Sequence, residues 1–212
     1  MTVAQFPQAS TTKTSRVLEL VHTDVIGPMN TASAGGSKYV LSFVDDFSRH
    51  VTLYFLRNKS QVTTKFIEYK KKMENQCGVR IMRVRSDNGT EYNNKRFHAF
   101  CRANGIVHQR TVPYSPQQNG VAERMNRTLV EKARCMLHYK AVPTKWWAEA
   151  MATAAYLVNR TSTAAKPDTT PYELCFGARP NLEHLRVFGA MGYAHIDDSK
   201  RKKFEAKAFK SW

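Results

Sequence analysis

Acidic residues are in short supply in this sequence. Against 33 Lys and Arg stand only 17 Asp and Glu, a formal charge of +16. Such an imbalance draws polyanions by Coulomb attraction and counterion release, and together with the aromatic content it favours nucleic acid as the partner. A generically basic soluble protein and a basic membrane-surface protein are the competing readings. Cysteine is scarcer still. Cys77, Cys101, Cys135 and Cys175 are far apart and form no C-x-x-C pair, which argues against a zinc knuckle, a zinc finger or a dense disulfide framework. Reduced thiols in an intracellular protein are expected. Long hydrophobic runs are also missing. The first residues, MTVAQFPQASTTKTSR, have no apolar segment and do not read as a signal peptide. The most apolar helical stretch, WWAEAMATAAYLV, contains Glu149 and is too short to span a bilayer. With no secretory signal, the three N-x-T triplets at Asn88, Asn126 and Asn159 read as chance. What remains is a chain of 212 residues, 42% of them apolar, enough for a packed core in one substantial domain.

Residues 1–15 are polar and rich in Ser and Thr, and read as a flexible arm. VLELVHTDVIGP is an apolar run ending at a Gly-Pro break, consistent with a strand that carries Asp24 near its end. KYVLSFVDDFSRHVTLYFLRN reads as two strands joined near DDFSR. In SQVTTKFIEYKKKMENQCG, Val62, Phe66, Tyr69 and Met73 recur at helical spacing up to Gly78. A strand in VRIMRVRS, a short helix in NNKRFHAFCRANG, a strand in IVHQRTVP and a loop in YSPQQNG follow. Two helices come next, one from about Val121 to Tyr139 and one in TKWWAEAMATAAYLVNR. Three strands and then alternating helices and strands predict an α/β fold with a mixed sheet flanked by helices. PYELCFGARPNLEHLRVFGAMGYAHI reads as a connector with short strands. The highly charged end, DDSKRKKFEAKAFKSW, reads as part of a truncated second module.

Three of the scarce acids draw attention by their positions. Asp24 and Asp87 fall at or just past the ends of predicted strands, where an α/β sheet presents groups to ligands. Glu123 heads the long helix. At 100° per residue Val121, Met125, Leu129, Ala133 and Met136 form its core face, with Glu123, Arg127 and Arg134 opposite. Alone, each acid has a plain explanation: Asp87 opens an Asp-Asn-Gly turn, Asp24 can cap a turn, and Glu123 can pair with Arg127 at i+4. Together, three carboxylates repel one another unless a cation joins them. Oxygen ligands with open positions suit Mg²⁺. In a basic protein this points to phosphoryl transfer on nucleic acid, where two metals roughly 4 Å apart activate one oxygen and stabilise another and Lys and Arg hold the backbone.

Thirty-five residues, 88 to 122, separate Asp87 from Glu123. Asp24, Asp87 and Glu123 at this spacing resemble the D,D-35-E signature of retroviral and retrotransposon integrases. The blocks LELVHTDVIGP, YVLSFVDDFSRH, RSDNGTEY, YSPQQNGVAERMNRTLVEKAR and NRTSTAAKPDTTPYELCFGARPNLEHLRVFG resemble, in order, the integrase region of copia-type LTR retrotransposon polyproteins. The resemblance runs from about Val17 to the end. It implies an RNase H-like core with a five-stranded mixed sheet and helices on both faces. It also implies Asp24, Asp87 and Glu123 as ligands of two Mg²⁺ or Mn²⁺ ions, in-line attack of water or a DNA 3′-hydroxyl on a phosphodiester, and element DNA joined to target DNA. A homo-oligomer, a nuclear location and no membrane are expected with it. The family's N-terminal His/Cys zinc module has no counterpart here, so no zinc site is expected. The expected organisation is an arm over 1–15, the catalytic core over 16–177 and a truncated C-terminal extension over 178–212.

Other residues keep two readings each. Asn119 and Gly120, just before the helix, are candidate DNA contacts or plain loop residues, with the glycine permitting close backbone approach. Arg124, Arg127 and Arg134 are candidate phosphate contacts or a solvated basic face. Tyr114, Pro116 and Gln117 are a candidate flap. Asp45 and Asp46 read as a turn pair rather than metal ligands, Glu91 as a supporting or surface acid, His22 as structural, and Trp146 and Trp147 as packing residues. SKRKK at 199–203 is short for a localisation signal. Two rival functions fit much of this: a decayed or domesticated fragment that only binds nucleic acid, and an RNase H-like nuclease that cuts without joining.

Overall fold

The structure, a computed structural model, describes residues 14–111, 119–162 and 167–211. Nearly all of the predicted arm, and the candidate flap at Tyr114, Pro116 and Gln117, lie outside the described residues. The elements follow the predicted order. Strands β1 (Leu20–Ile26), β2 (Tyr39–Asp45) and β3 (Val51–Leu56) are followed by helix α1 (Val62–Cys77), β4 (Arg83–Ser86), α2 (Lys95–Ala103), β5 (Val107–Arg110), α3 (Gly120–Tyr139) and α4 (Trp147–Asn159). The first five strands form one sheet in the order β3-β2-β1-β4-β5. β1, β2 and β3 pair antiparallel, while β1, β4 and β5 run parallel. This is the five-stranded mixed sheet implied by the resemblance.

Alternation along the strands divides the core between the two faces of the sheet. On one face Val21, Leu41, Phe43 and Val84 pack against Val62, Phe66, Tyr69 and Met73 of α1 and Phe97 and Cys101 of α2. On the other, Val40, Val44 and Val51 pack against Leu129 and Ala133 of α3 and Ala150, Met151 and Ala154 of α4. Phe43 and Tyr69 stack with centroids 4.4 Å apart. Trp147 is buried and donates its indole N–H to the Thr31 carbonyl at 2.9 Å, the packing role expected of it. The acids of the β2–β3 hairpin are structural too. Asp45 accepts hydrogen bonds from the backbone N–H groups of Leu18 and Ser48, and Asp46 bonds His22 and Thr14.

Two expectations need correction. PYELCF is a helix, α5 (Pro171–Phe176), not a connector. Thr170 and Glu173 form a reciprocal capping box and Pro171 stands in the first turn, a start signal written in the sequence. The core face of α3 is also rotated from the predicted one. Its buried residues are Ala122, Asn126, Leu129 and Ala133, while Val121, Met125 and Met136 pack at its edges. Beyond α5, β6 (Gly192–His195) and β7 (Ala208–Ser211) form a separate antiparallel pair. The preceding segment reaches the main body through Phe188, which packs on the α3–α4 side, and through a 2.7 Å hydrogen bond between Tyr156 and His184.

Candidate active site

β1 and α3 build the cleft. In β1, Val21 faces the α1 side, so alternation turns His22, Asp24 and Ile26 toward α3. Asp24 and Glu123 line one cleft of about 480 Å³ with Val25, Ile26, Gly27, Asn126, Arg127 and Arg134. Gly27 at its rim has a φ of +124°, and a Cβ there would stand 2.7 Å from the Lys38 carbonyl oxygen. Only glycine fits that turn.

Asp24 is partly buried and accepts a 2.9 Å hydrogen bond from Asn126 Nδ2. Burial pushes its carboxyl above the ordinary range. The Asn126 hydrogen bond opposes that shift, and the charges of Asp87 and Glu91 add to it. Asp24, Asp87 and Glu91 are therefore electrostatic neighbours. Asp87 sits just past the end of β4, where its Oδ1 accepts the Gly89 N–H at 3.0 Å. Glu123 lies in the exposed first turn of α3 and makes no hydrogen bond or ion pair among the described residues. The i+4 pair with Arg127 is not formed.

Arg127 and Arg134 are exposed on the Glu123 side and share its cleft. Arg124 is exposed but does not line that cleft. Asn119 is buried, its Nδ2 donating to the Thr23 carbonyl at 3.3 Å, so it fastens the start of α3 to β1. Among the described residues, a Cβ on Gly120 would meet only the Arg124 guanidinium, at 4.0 Å, its chain neighbours and the backbone of its own helix aside. His22 turns away to Asp46, its Nε2 3.0 Å from the carboxylate. Burial lowers its pKa despite that partner. Facing a carboxylate, Nε2 is the donor, and among the described residues Nδ1 has no partner.

Among the described residues no three His, Cys, Asp or Glu side chains stand close enough together to hold a metal ion. Asp24 and Asp87 are electrostatically coupled, and Asp24 shares a cleft with Glu123, but the three do not converge on one point. The donor set nonetheless suits a hard cation: every candidate is a carboxylate, and among the described residues the buried Asn126 Oδ1 beside Asp24 has no partner. Asn126 is the residue that sequence reasoning missed. It had been read only as the start of a chance N-x-T triplet, although its place three residues after Glu123 puts it on the neighbouring face of the helix.

The comparisons agree with this fold. The family model described as Integrase core domain matches residues 14–116, which include Asp24 and Asp87. The retrovirus-related Pol polyprotein from transposon TNT 1-94 of Nicotiana tabacum is 41% identical over 201 residues, 95% of this chain and 15% of that protein. The one from transposon RE2 of Arabidopsis thaliana is 36% identical over 200 residues, 94% of this chain and 14% of that protein. The chain thus spans about one seventh of the length of these relatives. Among solved structures, a chain of the simian T-cell lymphotropic virus intasome, determined in complex with PP2A regulatory subunit B56 gamma, superposes with a TM-score of 0.66 at 16% identity, covering 96% of this chain and 70% of that one. The HTLV-2 integrase catalytic core domain, in complex with magnesium, superposes with a TM-score of 0.56 at 17% identity, covering 76% of this chain and 97% of that one. The fold is RNase H-like, as in these integrase cores, and the chain is similar to the integrase core domain over residues 14–116 and to retrovirus-related Pol polyproteins of transposons over nearly all of its length.

Proposed function

We propose that this chain carries the catalytic site of DNA integration, with Asp24, Asp87 and Glu123 as ligands for two Mg²⁺ or Mn²⁺ ions. The observation that carries the reading is the shared cleft. Asp24 from β1 and Glu123 from α3 line it, Asp87 is electrostatically coupled to Asp24, and two arginines stand on the same helix. When bound, the cations supply the positive charge that activates the attacking oxygen and stabilises the leaving one. The chain's own residues position the rest. Asn126 orients the Asp24 carboxylate. Arg127 and Arg134 hold backbone phosphates beside the acids, and Arg124 extends that basic surface along the first turns of α3. Asn119 anchors the start of α3, so that Gly120 can admit a DNA end closely. In this arrangement water attacks a phosphodiester in line and cleaves it, freeing a 3′-hydroxyl on the element end; that hydroxyl then attacks a target phosphodiester, forming the bond that joins element to target while the target's own 3′-oxygen leaves as a hydroxyl. The working form is a homo-oligomer acting in the nucleus. The HTLV-2 core, solved in trimeric and dimeric forms, supports the first of these.

A branched DNA that mimics the joined product tests the reading. The chain should resolve and religate it in Mg²⁺ or Mn²⁺, chelator should stop it, and Glu123→Gln should lower the rate at least a hundredfold while leaving DNA binding intact. Binding without turnover, equal in both proteins, would instead mark a nucleic-acid-binding fragment. Cleavage without religation would mark a nuclease.

A further inference from the structure

Outside the cleft of Asp24 and Glu123, a further carboxylate stands beside Asp87. Glu91 lies in the turn between β4 and α2, and its side chain is only 4% exposed. A carboxylate so buried needs compensation. Lys59, in the short turn before α1, supplies it through a 2.8 Å hydrogen bond from Nζ to Oε1. The Glu91 carbonyl is fixed as well, accepting from Asn94 Nδ2 at 2.8 Å. The side chain folds back over Gly89. A Cβ on residue 89 would stand 2.8 Å from Glu91 Oε2 and 3.0 Å from Asp87 Oδ1, so the two carboxylates flank the same point. Glu91 is felt at Asp24, and Asp87 is felt at Lys59. Three acids and one lysine act as one electrostatic group. A clamp between two loops would work as well with a neutral amide, which would spare the site a further negative charge next to Asp87.

We propose that Glu91 is a positioning residue of the metal site: it fixes the Asp87 turn and adds negative potential for a divalent cation, while Lys59 balances that potential in the metal-free protein. The inference rests on the metal-site reading above. It makes two predictions of opposite sign. Glu91→Gln keeps an acceptor for Lys59 but removes the charge, and should weaken Mn²⁺ binding about three- to tenfold. Lys59→Met removes the opposing charge and should tighten it by a similar factor, the size expected for one charge acting on a divalent ion several ångströms away through largely aqueous surroundings. Lys59→Arg should bind as the unsubstituted chain does.

The test is a calorimetric titration of the whole chain with Mn²⁺, with melting temperatures recorded for each variant and Asp87→Asn as the site control. Opposite shifts in Kd at melting temperatures within a few degrees of one another are the expected result. Glu91→Gln and Lys59→Met weakening binding alike, or neither changing it, would show a plain structural clamp and overturn this proposal alone. No Mn²⁺ binding by the unsubstituted chain would overturn both this proposal and the metal-site reading.

Discussion

Asp24 shows how much one neighbour can decide. Its carboxyl is raised by burial and by the nearby acids, and Asn126 is the side chain that opposes this. Replacing Asn126 by Ala would remove the hydrogen bond and leave the carboxylate free to turn. The expected result is a fall of about tenfold or more in metal-dependent turnover, with a melting temperature lower by only a few degrees, since one such bond contributes about 1–2 kcal/mol. Paired rate and melting measurements check this. An unchanged rate would remove Asn126 from the site. Asp24 and Asp87 could be picked out of the sequence because strand ends can be read from apolar runs and turn residues. Asn126 could not, because an asparagine on a helix has no distinguishing pattern until its partner across the cleft is known.

At the scale of elements, local chemistry explains both what was legible and what was not. The strands and long helices carry enough periodic apolar residues to declare themselves; Val62, Phe66, Tyr69 and Met73 mark α1 without ambiguity. The face of α3 was misplaced because its buried stripe contains Asn126 and two alanines, residues that give a weak hydrophobic signal, while Val121, Met125 and Met136 at its edges give a strong one. The six residues of α5 are too few for a period to show. Only the capping box of Thr170 and Glu173 and the proline after it announce that helix, and its start should depend on them. Thr170→Ala should destabilise the protein by about 1 kcal/mol, read as a lower midpoint in urea. No change would mean that packing of Cys175 against the α1 side holds α5 in place unaided.

Over the whole molecule, one sheet separates two cores, and the buried histidines make its stability depend on pH. Burial holds His50 and His108 at about 4, well below the ordinary value near 6.5. A histidine kept neutral by folding takes up its proton more readily when unfolded, so the stability it contributes is full above about pH 6.5 and is lost as pH falls toward 4. For His50, the more deeply buried, the loss by pH 4 is on the order of 3 kcal/mol. Asp24 and Asp45, with raised carboxyls, work in the opposite direction at the acid end. The melting temperature should therefore fall between pH 7 and pH 4, and His50→Phe should flatten that fall. The scarcity of acids has a counterpart at this scale: on a chain of charge +16, Asp24, Asp87 and Glu91 stand near enough to act on one another, an arrangement that suits cations held against a polyanion. The most direct test of that claim is a crystal of the chain soaked in Mn²⁺ and measured for anomalous scattering. The account predicts a peak bound by the Asp24 and Asp87 carboxylates, with Glu123 turned toward it. Manganese bound elsewhere, with these acids unoccupied at saturating concentration, would contradict it.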